Sequence, residues 1–482
     1  MATKKSSPSL SQHSGRGARK HERRNGYPDA RPRFAMVLSG GGARGAYEAG
    51  VIHYLRTQLP PELGESPLFQ LYCGTSVGAI NCAFMAATAH DPVYQGKHIW
   101  KLWNSLTSKD IYYTDTQALF TFLAKTGYFA ATNMLGLYRL LEKRYGTLGP
   151  FTFKSVLDTT PFVFYLRRNI SWFNIHKNIN SRIIDAFTIS ATHINTGLPA
   201  IFVEKHPDVH FREGGIHPIF TSLSPKHILA SAALPIIFPL IRINQQYFGD
   251  GSLRQNTPIS PAIQLGADHL FIIALRPPSA AVPIPSEPMA DLQMPQVLAP
   301  QPPLGTLAGQ LLNSIFLDKL DYDLNQLQRI NYLIRDMEQI FGNDALERIN
   351  RHRREMMVPG KVIHEMRKVR PFTIQPTENL GKVAAQSLRK IIASSRAVSP
   401  MHRFFGNLLE DSPHGENDLV SYLMFEKEYI ETLLDLGYQD AKREHDHLVE
   451  FFSCLPLSHE RRANHHPPFP FYPEEEVLGS EE

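Results

Sequence analysis

Residues 34–45 of the chain read FAMVLSGGGARG, and residues 68–78 read LFQLYCGTSVG. In each segment a short, mostly apolar run ends at a glycine turn, which is typical of a buried strand. The sequence after each turn has the length of a helix. Strand, turn and helix therefore occur twice in succession, as they do in a parallel sheet with helices on its faces. We predict an α/β fold with a mostly parallel sheet wrapped by helices on both faces.

The second turn matches the pattern Gly-x-Ser-x-Gly, with Gly74, Ser76 and Gly78 at its fixed positions. In this pattern the serine sits on a tight strand-to-helix turn, and the glycines leave room for a backbone that exposes the hydroxyl. The helix N-terminus supplies N–H groups and a positive dipole end, which suit a developing oxyanion. Five-residue motifs also arise by chance, but the strand before this one and the apolar helix from Val77 to Ala89 after it favour a nucleophile.

The first turn, Gly40 to Gly45, allows two interpretations. It literally matches Gly-x-Gly-x-x-Gly, the fingerprint of dinucleotide-binding proteins. Such a site would have an acidic residue at the end of the second strand, where this chain has Cys73-Gly74-Thr75-Ser76. A P-loop is excluded because no Gly-Lys-Ser/Thr follows. A glycine run at a helix N-terminus is a general anion cradle, and beside an exposed serine it would hold the oxyanion of an acyl-transfer intermediate.

Together these motifs resemble those of the patatin-like phospholipases of bacterial type. That family has a Gly-Gly-Gly-x-Arg-Gly loop, a Gly-x-Ser-x-Gly turn and a later Asp-Gly, here Gly40–Gly45, Gly74–Gly78 and Asp250-Gly251 in the same order. Ser252 departs from the family, in which many members have alanine or glycine after Asp-Gly. The resemblance covers Phe34 to about Leu275 firmly and the C-terminal part less tightly.

The resemblance implies a catalytic dyad with Ser76 as nucleophile and Asp250 as base. It also implies that the glycine loop and the residue after the nucleophile stabilise the oxyanion, and that Arg44 holds this loop or the substrate phosphate. The implied oxyanion and substrate-binding residues are Gly40, Gly41, Gly42, Arg44, Gly45 and Val77, and the motif glycines are Gly74, Gly78 and Gly251. No metal or organic cofactor is required.

The expected activity is that of a phospholipase A or lysophospholipase, which cleaves fatty-acyl esters of phospholipids or lysophospholipids. Three alternatives stay open at this point. The first is a dinucleotide-dependent oxidoreductase that uses the first loop, and the second is an α/β-hydrolase with a Ser-His-Asp triad. In the latter class the nucleophile usually follows several strands, whereas Ser76 follows the second. The third is a non-catalytic lipid-binding protein, which the presence of all three motifs disfavours.

The amino-acid composition limits the kinds of partner and the cellular compartment that we expect. The chain has 482 residues, of which 43% are hydrophobic and 20% charged, values typical of globular proteins, and its net charge of +4 predicts no nucleic-acid partner. Three cysteines without metal-ligand spacing favour a reduced compartment. We expect a cytoplasmic or peripheral membrane protein, because no apolar run approaches the roughly 20 residues of a membrane span and the N-terminus lacks the apolar segment of a signal peptide.

The predicted organisation has five parts. Residues 1–33 form a basic, disordered tail, which either contacts anionic lipid or is a solvated leader without a role. The catalytic core covers residues 34–277, and a proline-rich linker covers residues 278–303. Residues 304–452 form a helical part that packs on the core, and residues 453–482 form a disordered acidic tail.

Several elements are predicted from local patterns. Strands are expected at residues 161–167, 186–191, 200–203, 269–275 and 369–374, the second and third as a hairpin. Helices are expected at residues 225–234, 258–265, 305–341 and 380–393. Residues 419–452 are expected to form two helices separated at Gly437.

Overall fold

The structure is a computed structural model that describes residues 32–66, 68–113, 155, 157–212, 218–235, 237–278, 320–356, 366–394, 402–403, 405–406 and 418–453. Almost all of the predicted tails and of the proline-rich linker, and the first part of the predicted long helix, lie outside these residues.

The centre of the molecule is a mixed, mostly parallel sheet. Its order is β5-β4-β3-β2-β1-β8-β9. Strand β7 pairs with the part of β3 that extends beyond the end of β2, and β6 pairs with β7. The described strands are β1 Phe34–Leu38, β2 Leu71–Thr75, β3 Ala186–His193, β4 Leu198–Lys205, β5 Pro218–Phe220, β6 Ile241–Ile243, β7 Gln246–Asp250, β8 His269–Ile273 and β9 Arg370–Ile374.

Helices cover both faces of this sheet. Those of the first half are α1 Gly45–Thr57, α2 Pro61–Gly64, α3 Val77–Ala87, α4 Pro92–Asn104, α5 Ser108–Ile111, α6 Thr160–Asn169 and α7 Trp172–Asn180. The later ones are α8 Pro225–Ser231, α9 Ile259–Gln264, α10 Leu320–Phe341, α11 Ala345–Glu355, α12 Leu380–Ser394, α13 Asp418–Leu423, α14 Lys427–Arg443 and α15 His445–Phe452. No described helix combines the length and the apolar character needed to cross a bilayer.

Strand β1 shows why its sequence is apolar without alternation. Phe34, Met36 and Leu38 face the side of the sheet where α1, α3 and α15 pack. Ala35 and Val37 face the opposite side, against α9 and α10. Because a strand covered on both faces buries every side chain, all five residues are apolar and 0% exposed. The predicted α/β fold, with its mostly parallel sheet and helices on both faces, is confirmed.

Most of the predicted elements are present. Strands β3 and β4 form the expected antiparallel hairpin, and β9 lies parallel beside β8. Residues 161–167, however, are not a strand but belong to α6. Pro161 occupies the first turn of this helix, where its missing N–H costs nothing, and Phe162 and Leu166 bury one face four residues apart. Aromatic and β-branched residues in this segment mimic a strand pattern.

Gly437 does not separate two helices, as predicted, but lies in the middle of α14. A side chain there would collide with the carbonyl of Tyr47 on α1, and one on Gly50 of α1 would collide with the carbonyl of Leu434 on α14. The two glycines allow the backbones of these helices to approach closely. The helix break occurs instead at Glu444, between α14 and α15.

The division of the chain into a core and a helical C-terminal part remains a prediction, with a direct test. Residues 34–278 expressed alone would lack β9, which covers the edge of β8, and α14, which covers α1. We expect insoluble protein, because this truncation exposes buried apolar surface and an unpaired parallel strand. Soluble yield and thermal melting measure the outcome, with residues 32–453 as the control. A soluble truncation that melts cooperatively would show two independent domains.

Candidate active site

The site lies where strands β2 and β7 meet end to end along β3. The last pair between β2 and β3 is Thr75 with Ser190, and the next residue of β3, Ala191, pairs with Asp250 of β7. Because β2 runs parallel and β7 antiparallel to β3, their C-terminal ends point at each other. Ser76 directly follows β2, so this topology brings it to Asp250 from 174 positions earlier in the chain.

Ser76 has the backbone of a strained turn. Its φ of 51° and ψ of −121° lie in a region that costs a residue with a side chain about 1–3 kcal/mol. The flanking glycines permit the turn, since a Cβ on Gly74 would lie 2.5 Å from the backbone of Ala79 and one on Gly78 would collide with the carbonyl of Leu38. The elbow therefore folds as its glycine pattern predicted.

The glycine loop lies beside this elbow. The N–H of Gly40 donates to the carbonyl of Asn256 at 3.2 Å, and the hydroxyls of Ser39 and Thr257 lie 2.6 Å apart. Gly42 has a φ of 56°, and a Cβ on it would collide with the carbonyl of Tyr422 on α13. Two distant segments thus hold the loop, one after Asp250 and one near the C-terminus of the described chain.

Arg44 is buried beneath α13 rather than exposed to the site. Its Nε donates to the hydroxyl of Ser421 at 2.8 Å, and its guanidinium carbon lies 4.4 Å from the centre of the Tyr422 ring. The residue is 2% exposed. This contact joins the glycine loop to α13.

Asp250 is a buried carboxylate, 3% exposed. Burial raises its pKa to about 6, because the charged form loses solvation. The Ser252 N–H donates to Oδ1 at 2.7 Å, and this bond, together with the nearby side chains of Ser252 and Ser76, acts in the opposite direction on this pKa. Gly251 allows the close approach, since a Cβ there would collide with the carbonyl of Ser190.

A buried polar network behind the elbow was not predicted from the sequence. The Nδ2 of Asn81 donates to Glu48 Oε2 at 2.8 Å and to the Gly45 carbonyl at 3.1 Å, and its Oδ1 accepts from Trp103 Nε1 at 2.8 Å. Burial raises the pKa of Glu48 well above its ordinary value, because the charged form loses solvation. The network links the helix after the glycine loop to the helix after the nucleophile.

An apolar cavity opens at the two predicted catalytic residues. Ser76 and Asp250 lie in its wall together with Gly41, Gly42 and Val77. Among the described residues that line it, Asp250 is the only Asp, Glu, Lys or Arg, and none is a histidine. The remaining wall is apolar and comes from α4, α6, α8 and the segment around α13, with Leu106, Phe162, Leu229, Phe238, Leu423 and Phe425 as examples.

Of the predicted site residues, the structure brings together Ser76, Asp250, Gly41, Gly42 and Val77 in one cavity wall. Gly45 instead lies against the Val77 and Trp103 side chains, and Arg44 points to α13. Sequence reasoning placed Trp103 in an aromatic segment that either covers the site or packs in the core, and it did not find Tyr422. The separation of Tyr422 from the motifs left no local signal.

Comparison with known proteins agrees with this architecture. The family model described as "Patatin-like phospholipase" matches residues 36–263. A solved structure similar to the chain is that of VipD from Legionella pneumophila, at 12% identity over 84% of this chain and 67% of that one, with a TM-score of 0.26. A TM-score this low supports no conclusion about fold or function. No curated protein matches the chain.

The chain has an α/β fold, and the patatin-like phospholipase model matches its residues 36–263, as the motif resemblance predicted. This family assignment supports activity on lipid esters in general. It leaves the catalytic residues and the particular substrate to be argued from the site.

Proposed function

We propose that the protein hydrolyses fatty-acyl esters of phospholipids or lysophospholipids through a dyad of Ser76 and Asp250. The observation that carries the proposal is that Ser76 and the buried Asp250 carboxylate lie in the wall of one apolar cavity, with the Ser76 side chain close enough to lower the pKa of Asp250. A serine hydroxyl within hydrogen-bonding reach of a base is the arrangement that nucleophilic catalysis needs.

In the proposed reaction, Asp250 takes the proton of Ser76 as the hydroxyl oxygen attacks the ester carbonyl carbon. The resulting oxyanion is stabilised by the N–H groups of Gly41, Gly42 and Val77. Asp250 returns the proton to the leaving alcohol, and the acyl group stays on Ser76. Water activated by Asp250 then attacks the acyl-enzyme and releases the fatty acid. A pKa raised to about 6 suits this role, because a base is most effective when its pKa lies near the working pH.

The cavity favours a lipid acyl chain as the bound group. Its wall is apolar on several sides of Ser76, so a fatty-acyl chain would bury hydrocarbon there at about 0.8 kcal/mol per CH₂ group. We assign Arg44 to holding the glycine loop rather than to the phosphate of the substrate, since its guanidinium is buried against Ser421 and Tyr422.

A histidine triad is disfavoured by the contacts of two histidines, His227 and His193, that precede Asp250 in the chain. His227 bonds through Nδ1 with Ser224, its N-cap partner, and stacks edge-on against Phe202. His193 bonds through Nδ1 with Thr196 in the β3–β4 turn. Neither belongs to the described cavity wall. The proposed chemistry therefore uses Asp250 alone as the base.

This proposal also includes membrane contact by the basic N-terminal tail and a peripheral membrane location. The choice between phospholipid and lysophospholipid belongs to it as well. A lipid substrate presented at a bilayer surface fits a protein whose described helices do not span one. The tail would add electrostatic attraction to anionic lipid, worth about 1 kcal/mol per basic residue near the surface.

The proposal is tested by incubating the full chain with a mixed phospholipid and lysophospholipid extract and analysing the products by mass spectrometry. We expect free fatty acids together with lysophospholipids or glycerophosphodiesters, and none of these with Ser76→Ala. Release of fatty acid only from neutral acylglycerols would contradict the phospholipid assignment. Absence of any ester cleavage by wild-type protein would overturn the proposed function.

A further inference from the structure

Ser231, the last residue of α8, connects the elbow to the sheet. Its hydroxyl accepts the N–H of Ser76 at 2.7 Å and donates to the carbonyl of Ser190 on β3. All three residues are buried, and Ser231 is 0% exposed. The pairing of β2 with β3 ends at Thr75 and Ser190. The Ser231 hydroxyl therefore bridges the ends of these two strands, just beyond their last main-chain pair.

The elbow needs this contact for two reasons. The backbone of Ser76 is strained, and such a conformation persists only where its surroundings hold it. Its N–H is also buried, and a buried donor without an acceptor costs about 1–3 kcal/mol. The Ser231 hydroxyl provides the acceptor and fixes the direction of the N–H group. The next residue, Val77, lies in the cavity wall.

The same short segment also holds Asp250. The N–H of Asp250 donates to the carbonyl of Ala233 at 2.9 Å, two residues after Ser231. On the other side, the hydroxyl of Thr192 donates to the Asp250 carbonyl at 2.8 Å. Residues 231–233 therefore bind the backbone of both Ser76 and Asp250. Their length fixes the separation between the two residues.

We propose that Ser231 is a positioning residue for the dyad, which holds the Ser76 elbow in its strained conformation at a fixed distance from Asp250. It acts through the Ser76 N–H and does not itself touch the reacting ester. The kinetic consequence rests on the proposed function, whereas the effect on the Ser76 backbone does not. On this proposal the elbow needs the hydroxyl of Ser231 and not only its small size.

The kinetic test compares three variants of the full chain. Ser231→Ala removes the acceptor, Ser231→Thr retains a hydroxyl, and Thr88→Val removes another buried hydroxyl from the far end of α3. We expect Ser231→Ala to lower kcat about 10- to 100-fold with little change in KM, because small misplacements of catalytic groups have effects of this size. Ser231→Thr should recover most of kcat, and Thr88→Val should match the wild type.

The kcat of each variant is calculated per folded molecule, and the folded fraction is taken from its thermal melt. If Ser231→Ala does not fold, Ser231→Cys replaces it, because a thiol fills a similar volume and is a weak acceptor. The same loss of kcat is expected. Wild-type kcat in the folded alanine or cysteine variant would overturn the proposal, and so would an equal loss in Thr88→Val.

Hydrogen–deuterium exchange gives a readout that does not depend on activity. Peptides spanning residues 73–80 should exchange faster in Ser231→Ala than in wild type or Thr88→Val, because the Ser76 N–H loses its acceptor. If wild-type protein cleaves no ester, the proposed function fails and this exchange result alone decides the role of Ser231. Unchanged exchange at the elbow would refute that role.

Discussion

Ser76→Ala should abolish both ester hydrolysis and covalent labelling by a fluorophosphonate probe, lowering kcat by at least about a thousandfold. The physical reason is that this variant removes the proposed nucleophile, whose side chain lies beside the Asp250 carboxylate in the cavity wall. The fold should persist, because Ser76 contributes its backbone rather than its side chain to the elbow contacts with Ser231 and Ala79.

The matched control for this variant is Ser252→Ala. Ser252 is a buried serine beside Asp250, so it is the nearest alternative target of the probe. Its alanine variant should still be labelled, since the hydroxyl of Ser76 is intact. Undiminished labelling of Ser76→Ala, or loss of labelling only in Ser252→Ala, would show that the nucleophile is a different serine.

The parts of the site that the sequence predicts are those formed by neighbouring residues. The strand, glycine loop and helix of residues 34–57 form within one stretch of chain, and so does the elbow around Ser76. Close backbone contacts require the glycines of both segments, so these contacts are visible in the sequence as a pattern of glycines. Asp250 was not predictable in this way, because Asp-Gly alone is a common turn and only the resemblance singled it out.

The parts that the sequence did not predict depend on distant contacts. Ser231 acts through the elbow 155 positions away, and Tyr422 covers Gly42 from near the C-terminus of the described chain. Gly437 was expected to break a helix, yet its role is to let α14 approach α1. Residues 161–167 carry strand-like side chains, yet they form a helix that buries Phe162 and Leu166 on one face. Local preference gives way to tertiary contact in each case.

Asp250→Asn is the second variant with a large expected effect, and it should act on activity and stability in opposite directions. Asparagine cannot accept the proton of Ser76, so kcat should fall nearly as far as in Ser76→Ala, because members of one catalytic unit are not additive. In wild type, kcat/KM should fall about tenfold per pH unit below about pH 6, where Asp250 becomes protonated.

The histidine alternative is tested in the same assay. His269, the first histidine after Asp250, stacks on Phe34, and their ring centres lie 4.3 Å apart. Both residues begin their strands, β8 and β1, whereas the site lies at the C-terminal ends of the strands. Replacing it, or each later histidine in turn, should leave most of kcat. A folded histidine variant as inactive as Ser76→Ala would instead establish a triad.

The stability of Asp250→Asn follows from the same pKa. Because folding raises the pKa of Asp250 from 3.8 to about 6, the protonated form favours the folded state. This contribution is complete below pH 3.8 and is lost as pH rises through about 6, which amounts to about 3 kcal/mol of destabilisation in wild type at neutral pH. Asparagine does not ionise, so the Tm of the variant relative to wild type should increase from pH 4 to pH 7 and then stay level.

Asp440→Asn is the matched control for this stability effect. Asp440 is also buried, but Tyr47 and Arg443 donate hydrogen bonds to its carboxylate, and it lies on α14 away from the dyad. Its asparagine variant should lose stability, because an ion pair and charge-assisted hydrogen bonds are weakened, while kcat per folded molecule should match the wild type. Thermal melts at pH 4, 5, 6, 7 and 8, paired with kcat/KM at each pH, measure both effects. A Tm difference between Asp250→Asn and wild type that does not change with pH would show that Asp250 does not titrate near pH 6, and the buried carboxylate would then not be the base.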